Sequence, residues 1–395
     1  MALAFVEIDN VADGSICFIR SAIRIFSPLY SLLSATLGSI LGYIGLMFHK
    51  RGGKFYSFLY RKIEKKSIIS KEVLGLKIGV FLVLFQSEPL EKALDYVSKT
   101  GVEAVEVGTG GYPSNAHCQP GKLLNDPEAL RRFQDAFSVR GLEISALSCH
   151  GNSLHPNKEI AEKHRQELEN TILLAEKLGV QNVITFSGCP GDSDNARYPN
   201  WVTCPWPPDF LEVLRWQWEE KVLPYWKKVG QFAKDHGVRI CLEMHPGFVV
   251  YNPETLLRLR QEIGEVIGAN FDPSHLFWQG IDPILALRKL EGAIYHVHAK
   301  DTKIDSLNSP VNGNLDTKPY TEEAKRSWLF RTVGYGHDFS FWKDFVSTLR
   351  LIGYDGVLSI EHEDSLMSGR EGFEKAVAFL RLLVIREKTG QAWWV

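Results

Sequence analysis

The chain has 395 residues, 45% of them apolar and 23% charged, a balance that supplies a large hydrophobic core and excludes wholesale disorder. A formal net charge of -2 removes the global basic field on which nucleic-acid affinity rests, so no nucleic-acid partner is expected. The cysteines (Cys17, Cys118, Cys149, Cys189, Cys204, Cys241) are scattered without a C-x-x-C pair, which points to free thiols in a reducing compartment.

The character of the sequence changes near residue 76, separating an N-terminal extension (1–75) from a catalytic region (76–395). Within the extension, 27–48 is an uncharged run flanked by Arg20 and Arg24 on one side and by Lys50, Arg51 and Lys54 on the other. It is long enough to span a bilayer, which takes about 20 residues. Its Ser, Thr, Gly and Tyr content leaves an amphipathic helix as the alternative, and it is the only segment through which membrane contact is expected. The basic stretch 50–71 would keep the C-terminal region on the cytoplasmic side, so the catalytic region is expected in the cytoplasm on either reading.

From residue 77 onward short β-branched runs alternate with longer amphipathic stretches, as successive βαβ units require. Strands are predicted over 77–85, 102–107, 143–148, 182–186, 239–244, 267–271, 294–298 and 356–360. Helices are predicted over 127–140, 158–178, 211–236, 253–263 and 339–351, with Gly141, Gly179, Gly237 and Gly353 at C-cap positions. Eight such units with near-continuous apolar strands predict an α/β fold closed as a (β/α)8 TIM barrel. Two connections are long, 187–209 after the fourth strand and 301–337 after the seventh. Both fall on the strand C-terminal side, where barrel enzymes place their chemistry, and are expected to form lids or substrate walls.

Each of the last four predicted strands ends in a residue able to hold a metal: Glu243 in RICLEMHPG, Asp272 in IGANFDPSH, His298 in IYHVHAKD and Glu361 in GVLSIEHED. The ends of parallel barrel strands converge on one rim, so these four become neighbours. A single acidic strand end is more often a cap or an ion-pair partner; four in successive strands are hard to reach by chance. Three carboxylates and an imidazole suit a hard or borderline divalent ion, Mn2+ being expected and Mg2+ or Co2+ the alternatives. A closed structural zinc site would favour thiolates.

The segments LEMHPG, NFDPSH, HVHAKD and SIEHED, in this order, resemble the xylose isomerase-like TIM-barrel superfamily over residues 77–385, in particular its sugar phosphate isomerase/epimerase branch. The resemblance implies a metal held by Glu243, Asp272, His298 and Glu361, with the two glutamates acting as acid and base on opposite faces of a sugar or polyol. It also implies that His275, spaced D-x-x-H from Asp272, contacts a substrate oxygen. The apurinic-site endonuclease branch would need a D-x-H pair between the seventh and eighth strands; none is present, and His337-Asp338 has the wrong order.

The expected reaction is proton removal beside a carbonyl by a carboxylate such as Glu243, with a divalent ion stabilising the resulting enediolate. Returning the proton to the other face through Glu361 gives an epimer, and returning it to the neighbouring carbon gives an aldose-ketose isomer; the glutamates' roles are interchangeable. The alternative on this scaffold is a lyase or dehydratase, inosose dehydratase-like or oxidised-glycoside-cleaving, with His150 as general acid. His150, at the end of the third strand, is a catalytic candidate in either case.

Glu106 is a candidate for sugar hydroxyls or a structural ion pair, and Lys300 for substrate or for pairing with Asp301. Trp201, together with Phe81, Trp206 and Trp278, is a candidate for stacking on a sugar ring. His245 could orient a ligand and His296 could form a layer beneath the metal. No G-x-x-x-x-G-K-[ST] loop is present, which leaves the substrate's phosphorylation open. A homo-oligomer is expected.

Overall fold

The computed structural model describes residues 75–387 and positions 390, 392, 394 and 395. The 27–48 segment, the basic stretch 50–71 and Cys17 lie outside the described residues. Ten strands follow in chain order: β1 (Lys77–Phe81), β2 (Ala104–Gly111), β3 (Glu143–His150), β4 (Asn182–Thr185), β5 (Arg239–Glu243), β6 (Ile267–Phe271), β7 (Ile294–Ala299), β8 (Asp301–Ile304), β9 (Trp328–Arg331) and β10 (Val357–Ile360). Eight of them close a parallel barrel in the order β1-β10-β7-β6-β5-β4-β3-β2, and β8 and β9 form a separate antiparallel ribbon. Closure runs through β1, where Gly79 pairs with Ala104 on one side and Ser359 on the other.

All eight predicted barrel strands are present, with shifted ends. The first stops at Phe81, because Leu82–Phe85 turn as a 3-10 helix. That turn buries Leu82 and Phe85 in the core, so the long apolar run serves a strand and a rim turn together. The second and third strands continue to Gly111 and His150.

The helices begin where side chains can satisfy their free N–H groups. Asp126 accepts from Glu128 and Ala129, Asn157 from Glu159 and Ile160, and Asn252 forms a capping box with Thr255. The four C-cap glycines all have positive φ, between 66° and 78°. The predicted helix 211–236 is helical but not uniformly α: Gln217–Val222 widen into a π-helical segment immediately before Pro224. Proline has no N–H for the i−4 carbonyl, and a wide turn accommodates that loss. Among the described residues no helix is long and apolar enough to cross a membrane, and the described cysteines are free.

The two-residue period of each strand sorts inward side chains into layers. Ala146, Ile184 and Cys241 form an apolar floor against Tyr295. One step toward the C-terminal rim, Glu106, Ser148, Asn270, His296 and Ser359 are all buried. Above this polar layer, at the strand ends, stand the candidate site residues.

Candidate metal centre and its cavity

Glu243 ends β5, Asp272 follows β6, His298 lies near the end of β7 and Glu361 follows β10. In the barrel these strands are consecutive neighbours. Each of the four residues offers a donor atom within 4.8 Å of those of the others. His298 Nδ1 is 3.0 Å from Glu361 Oε2, 3.4 Å from Glu243 Oε2 and 3.8 Å from Asp272 Oδ2. Residues 118 positions apart in sequence thus share one point because parallel strands deliver their C-terminal ends to a common rim.

The polar atoms of this cluster fit a cation. Asp272 Oδ1 accepts from the Ser274 N–H at 2.8 Å, which leaves Oδ2 facing the cluster. Asp272 Oδ2 and Glu361 Oε2 are buried and receive no well-directed hydrogen bond, a costly state for carboxylate oxygens unless a positive ion faces them. An all-oxygen and imidazole donor set suits a hard or borderline divalent metal.

Charge governs the protonation of these groups. Burial pushes the Glu243 carboxyl up, but His150, His275 and His298 outweigh it and hold it well below its usual range. Burial is likewise outweighed at Asp272 by His275 and Lys300 and at Glu361 by Lys300 and His298, so both are lowered. His298 moves the other way: burial opposes its cation, and Glu106, Glu361 and Asp272 raise it well above the usual imidazole range.

Of its two expected readings, Glu106 takes the ion pair. Its side chain is fully buried beneath His298 and does not line the cavity. Its Oε2 accepts from His298 Nε2 at 3.0 Å and from Ser359 Oγ at 2.7 Å, and its Oε1 accepts from Ser148 Oγ at 2.5 Å. With both oxygens engaged inside the barrel, Glu106 has none left for a sugar hydroxyl. It holds one hydrogen on His298 Nε2, so that Nδ1 is the nitrogen a metal would take by displacing its proton, a common arrangement for metal-ligating histidines.

Around the cluster, His150 Nε2 is 3.0 Å from Glu243 Oε2 and His275 Nε2 is 3.3 Å from Glu243 Oε1. Lys300 does not pair with Asp301. Its Nζ lies 2.5 Å from Glu363, 3.3 Å from Glu361 and 3.9 Å from Asp272, which holds the ammonium well above its usual range although burial opposes it.

Asp301 turns toward the last long loop instead, where Oδ2 accepts from the Gly334, Gly336 and His337 N–H groups and from Trp342 Nε1. His296 sits beneath, its Nδ1 2.9 Å from Asn270 Oδ1. Burial lowers His245 to about 3, and its Nδ1 meets Pro246 O at 2.6 Å.

A cavity of about 650 Å3 opens above the cluster and reaches Glu243, Glu361, His150, His275 and Lys300. Neither long connection lines it, contrary to the expectation of lids. The 187–209 connection is tied back by Gln217, whose amide donates to Pro190, Gly191 and Asn200 carbonyls. Trp201 is therefore not a cavity residue; it stands edge-on to Tyr251 at 5.4 Å and packs against the buried cluster of Trp278, Trp328 and Phe330. Trp206 is exposed and Trp278 buried. The β8–β9 ribbon acts from behind, with Phe330 4.2 Å from Lys300 Nζ and 5.4 Å from the His275 ring.

Phe81 does line the cavity, joined by Tyr112, Phe186, Phe248 and Glu363, which the sequence had not singled out. Phe186 is the last residue of the predicted strand 182–186, the one signal that could have marked it.

The sequence matches the family described as xylose isomerase-like TIM barrel over residues 94–383. The chain belongs to that family. Protein YfiH of Bacillus subtilis, described as uncharacterized, is 42% identical over 296 residues, covering 74% of this chain and 94% of YfiH. An inosose dehydratase of Mesomycoplasma hyopneumoniae is 23% identical over 322 residues, 78% of this chain and 97% of that enzyme.

Two solved structures share the fold over 78% of this chain and 98% of their own: a D-tagatose 3-epimerase-like protein (TM-score 0.53, 20% identity) and the IOLI protein with a bound zinc atom (TM-score 0.54, 16% identity).

Proposed function

We propose that this chain is a divalent-metal-dependent enzyme that removes and returns a proton beside the carbonyl of a keto-sugar or polyol-derived ketone, as an isomerase or epimerase. The observation that carries this reading is the order of donors around the rim. Glu361 and Glu243 arrive from β10 and β5 and flank His298 and Asp272, so two carboxylates face a substrate seated at the centre from different sides. When bound, a divalent ion, Mn2+ by preference with Mg2+ or Co2+ as alternatives, supplies Lewis-acid stabilisation of charge developing on neighbouring substrate oxygens.

The chain's own residues do the rest. Glu243, ionised at neutral pH, accepts the carbon proton, and Glu361 delivers one to the opposite face; these roles exchange for the reverse reaction. His150 holds Glu243 through its 3.0 Å contact. Lys300 and His275 are buried donors at the cavity edge and bond to substrate oxygens.

One observation favours a second reading, elimination. His150 lines the cavity beside Glu243, where it is placed to give a proton to a departing β-hydroxyl, as the relationship to an inosose dehydratase suggests.

The test is solvent deuterium incorporation by the full chain, with Mn2+ and then with chelator, into ketoses, inososes and 3-keto-glycosides. Metal-dependent exchange with epimer or isomer recovered supports the proposal. Exchange accompanied by loss of water or aglycone transfers the assignment to lyase, and no exchange on any member refutes both.

A further inference from the structure

The cavity walls differ sharply in chemistry. On one side Lys300, Glu361, His362 and Glu363 stand at the ends of β7 and β10. Directly across the eight-strand order from β10 is β4, and after it comes Phe186, stacked on Phe248 with ring centroids 4.2 Å apart and planes at 23°. Tyr112 stands 6.4 and 6.5 Å from these two rings and is 57% exposed. These three side chains come from separate connections after β2, β4 and β5, and form one apolar shelf open to the cavity.

The charge pattern disfavours an anionic substituent. Glu243, Glu361 and Glu363 line the cavity, and Asp272 lies just behind Lys300. Among the described residues Lys300 is the only Lys or Arg lining it, and that ammonium is already shared between Glu361 and Glu363. A divalent ion brings these groups only to about neutral, with no excess positive charge. A phosphate dianion in this space would lie among carboxylates, beside an ammonium already engaged by two of them.

We infer that the substrate is a neutral, unphosphorylated glycoside carrying a ketone on a ring carbon other than the anomeric one, whose sugar ring sits over the metal cluster and whose apolar aglycone lies on the Tyr112–Phe186–Phe248 shelf. The inference rests on the proposed function in taking the metal cluster as the place of the sugar ring and its ketone; simple glycosides serve as unreactive binding probes. A ring on the shelf covers flat aromatic surface that a free sugar would leave wet. Specificity then has two parts: polar recognition of the sugar by the wall carrying Lys300, and apolar recognition of the aglycone by the wall facing it.

The experiment is isothermal titration of the full chain loaded with Mn2+, using phenyl and methyl β-D-glycosides with gluco, galacto and manno rings, together with glucose 6-phosphate. At least one phenyl glycoside should bind about tenfold or more tightly than its methyl counterpart, with glucose 6-phosphate the weakest ligand. Phe248→Ala should bring the phenyl-to-methyl ratio toward one. Tyr112→Ala, at an exposed position that tolerates truncation, should lower the same ratio if Phe248→Ala fails to fold.

Equal affinity for phenyl and methyl partners, tighter binding of the phosphate, or no binding by any glycoside would overturn the inference. Because binding is read without turnover, the two ideas fail separately. Proton exchange on small ketoses with no phenyl preference sinks the substrate class alone, and phenyl preference without exchange sinks the reaction alone.

Discussion

Glu106 offers the sharpest test of how the barrel interior prepares the metal cluster. Burial alone would raise its carboxyl, yet the His298 and His296 rings and the Ser148 hydroxyl hold it at about 2 against an ordinary 4.5. At 1.36 kcal/mol per pH unit this corresponds to roughly 3 kcal/mol. The same attraction raises His298 and is counted once. Since the folded-state value lies below the unfolded one, the stabilisation is complete above about pH 4.5 and is lost as the pH falls toward 2.

Glu106→Gln keeps the shape and removes the charge. Its amide keeps one acceptor oxygen and turns the other into a donor, so the hydrogens of His298, Ser148 and Ser359 compete for a single acceptor and His298 is no longer firmly held with its hydrogen on Nε2 and Nδ1 toward Glu243, Asp272 and Glu361. The expected result is a loss of roughly 3 kcal/mol in urea unfolding of the metal-stripped protein at pH 7, and a 10- to 100-fold weaker Mn2+ affinity, on the order seen for such orienting partners. Competition with a fluorescent chelator measures the second quantity. Metal affinity equal to wild type would refute the orienting role, whatever happened to stability.

Three further perturbations separate the roles of neighbouring residues. Glu243→Gln should leave circular dichroism unchanged and lower solvent-exchange turnover by about 100-fold or more; near-normal turnover removes Glu243 as the base. Lys300→Met withdraws the cation that helps hold Glu361 low, so the Glu361 carboxyl should rise and the acid limb of kcat/KM should move up by about one pH unit or more. An unmoved limb would detach Lys300 from Glu361. Gly336→Ala would place a Cβ 2.4 Å from both Asp301 Oδ1 and Thr302 O, and the displaced 332–337 loop should lower stability by about 1–3 kcal/mol, read from urea unfolding.

The strand count and the four rim residues were legible because each depends on a local pattern: an apolar run, a terminating polar residue and a repeat of that pair. What lay between patterns was not. Glu106 reads in sequence like Glu243, an acidic group in a buried strand, and nothing local says that it sits one layer lower. The difference arises from barrel stagger, which brings Glu106 opposite His298 across 192 positions.

Trp201 and the 301–337 connection failed for a related reason. Length and aromatic content mark a functional loop, but Gln217 and the Trp278–Trp328 stack, 4.8 Å apart, hold these segments away from the cavity. Conversely Phe248 and Tyr112 lie in short connections with no signal of their own, and only the closed barrel makes them neighbours.

A TIM barrel ordinarily fills its interior with layers of branched apolar side chains, so the polar layer under this cluster calls for a physical reason. Glu106, Ser148, Ser359, Asn270 and His296 are joined by hydrogen bonds, and Asn270 reaches up to Glu243 Oε2 at 3.0 Å. A network satisfied in this way is rigid, whereas removing one member leaves buried partners unmatched. An apolar layer of equal volume could support the strands equally well. It could not dictate which nitrogen of His298 is bare or which way the Glu243 carboxylate is turned. The layer is therefore better understood as part of the metal site than as part of the core, and substitutions within it should alter metal affinity before they alter the affinity for substrate.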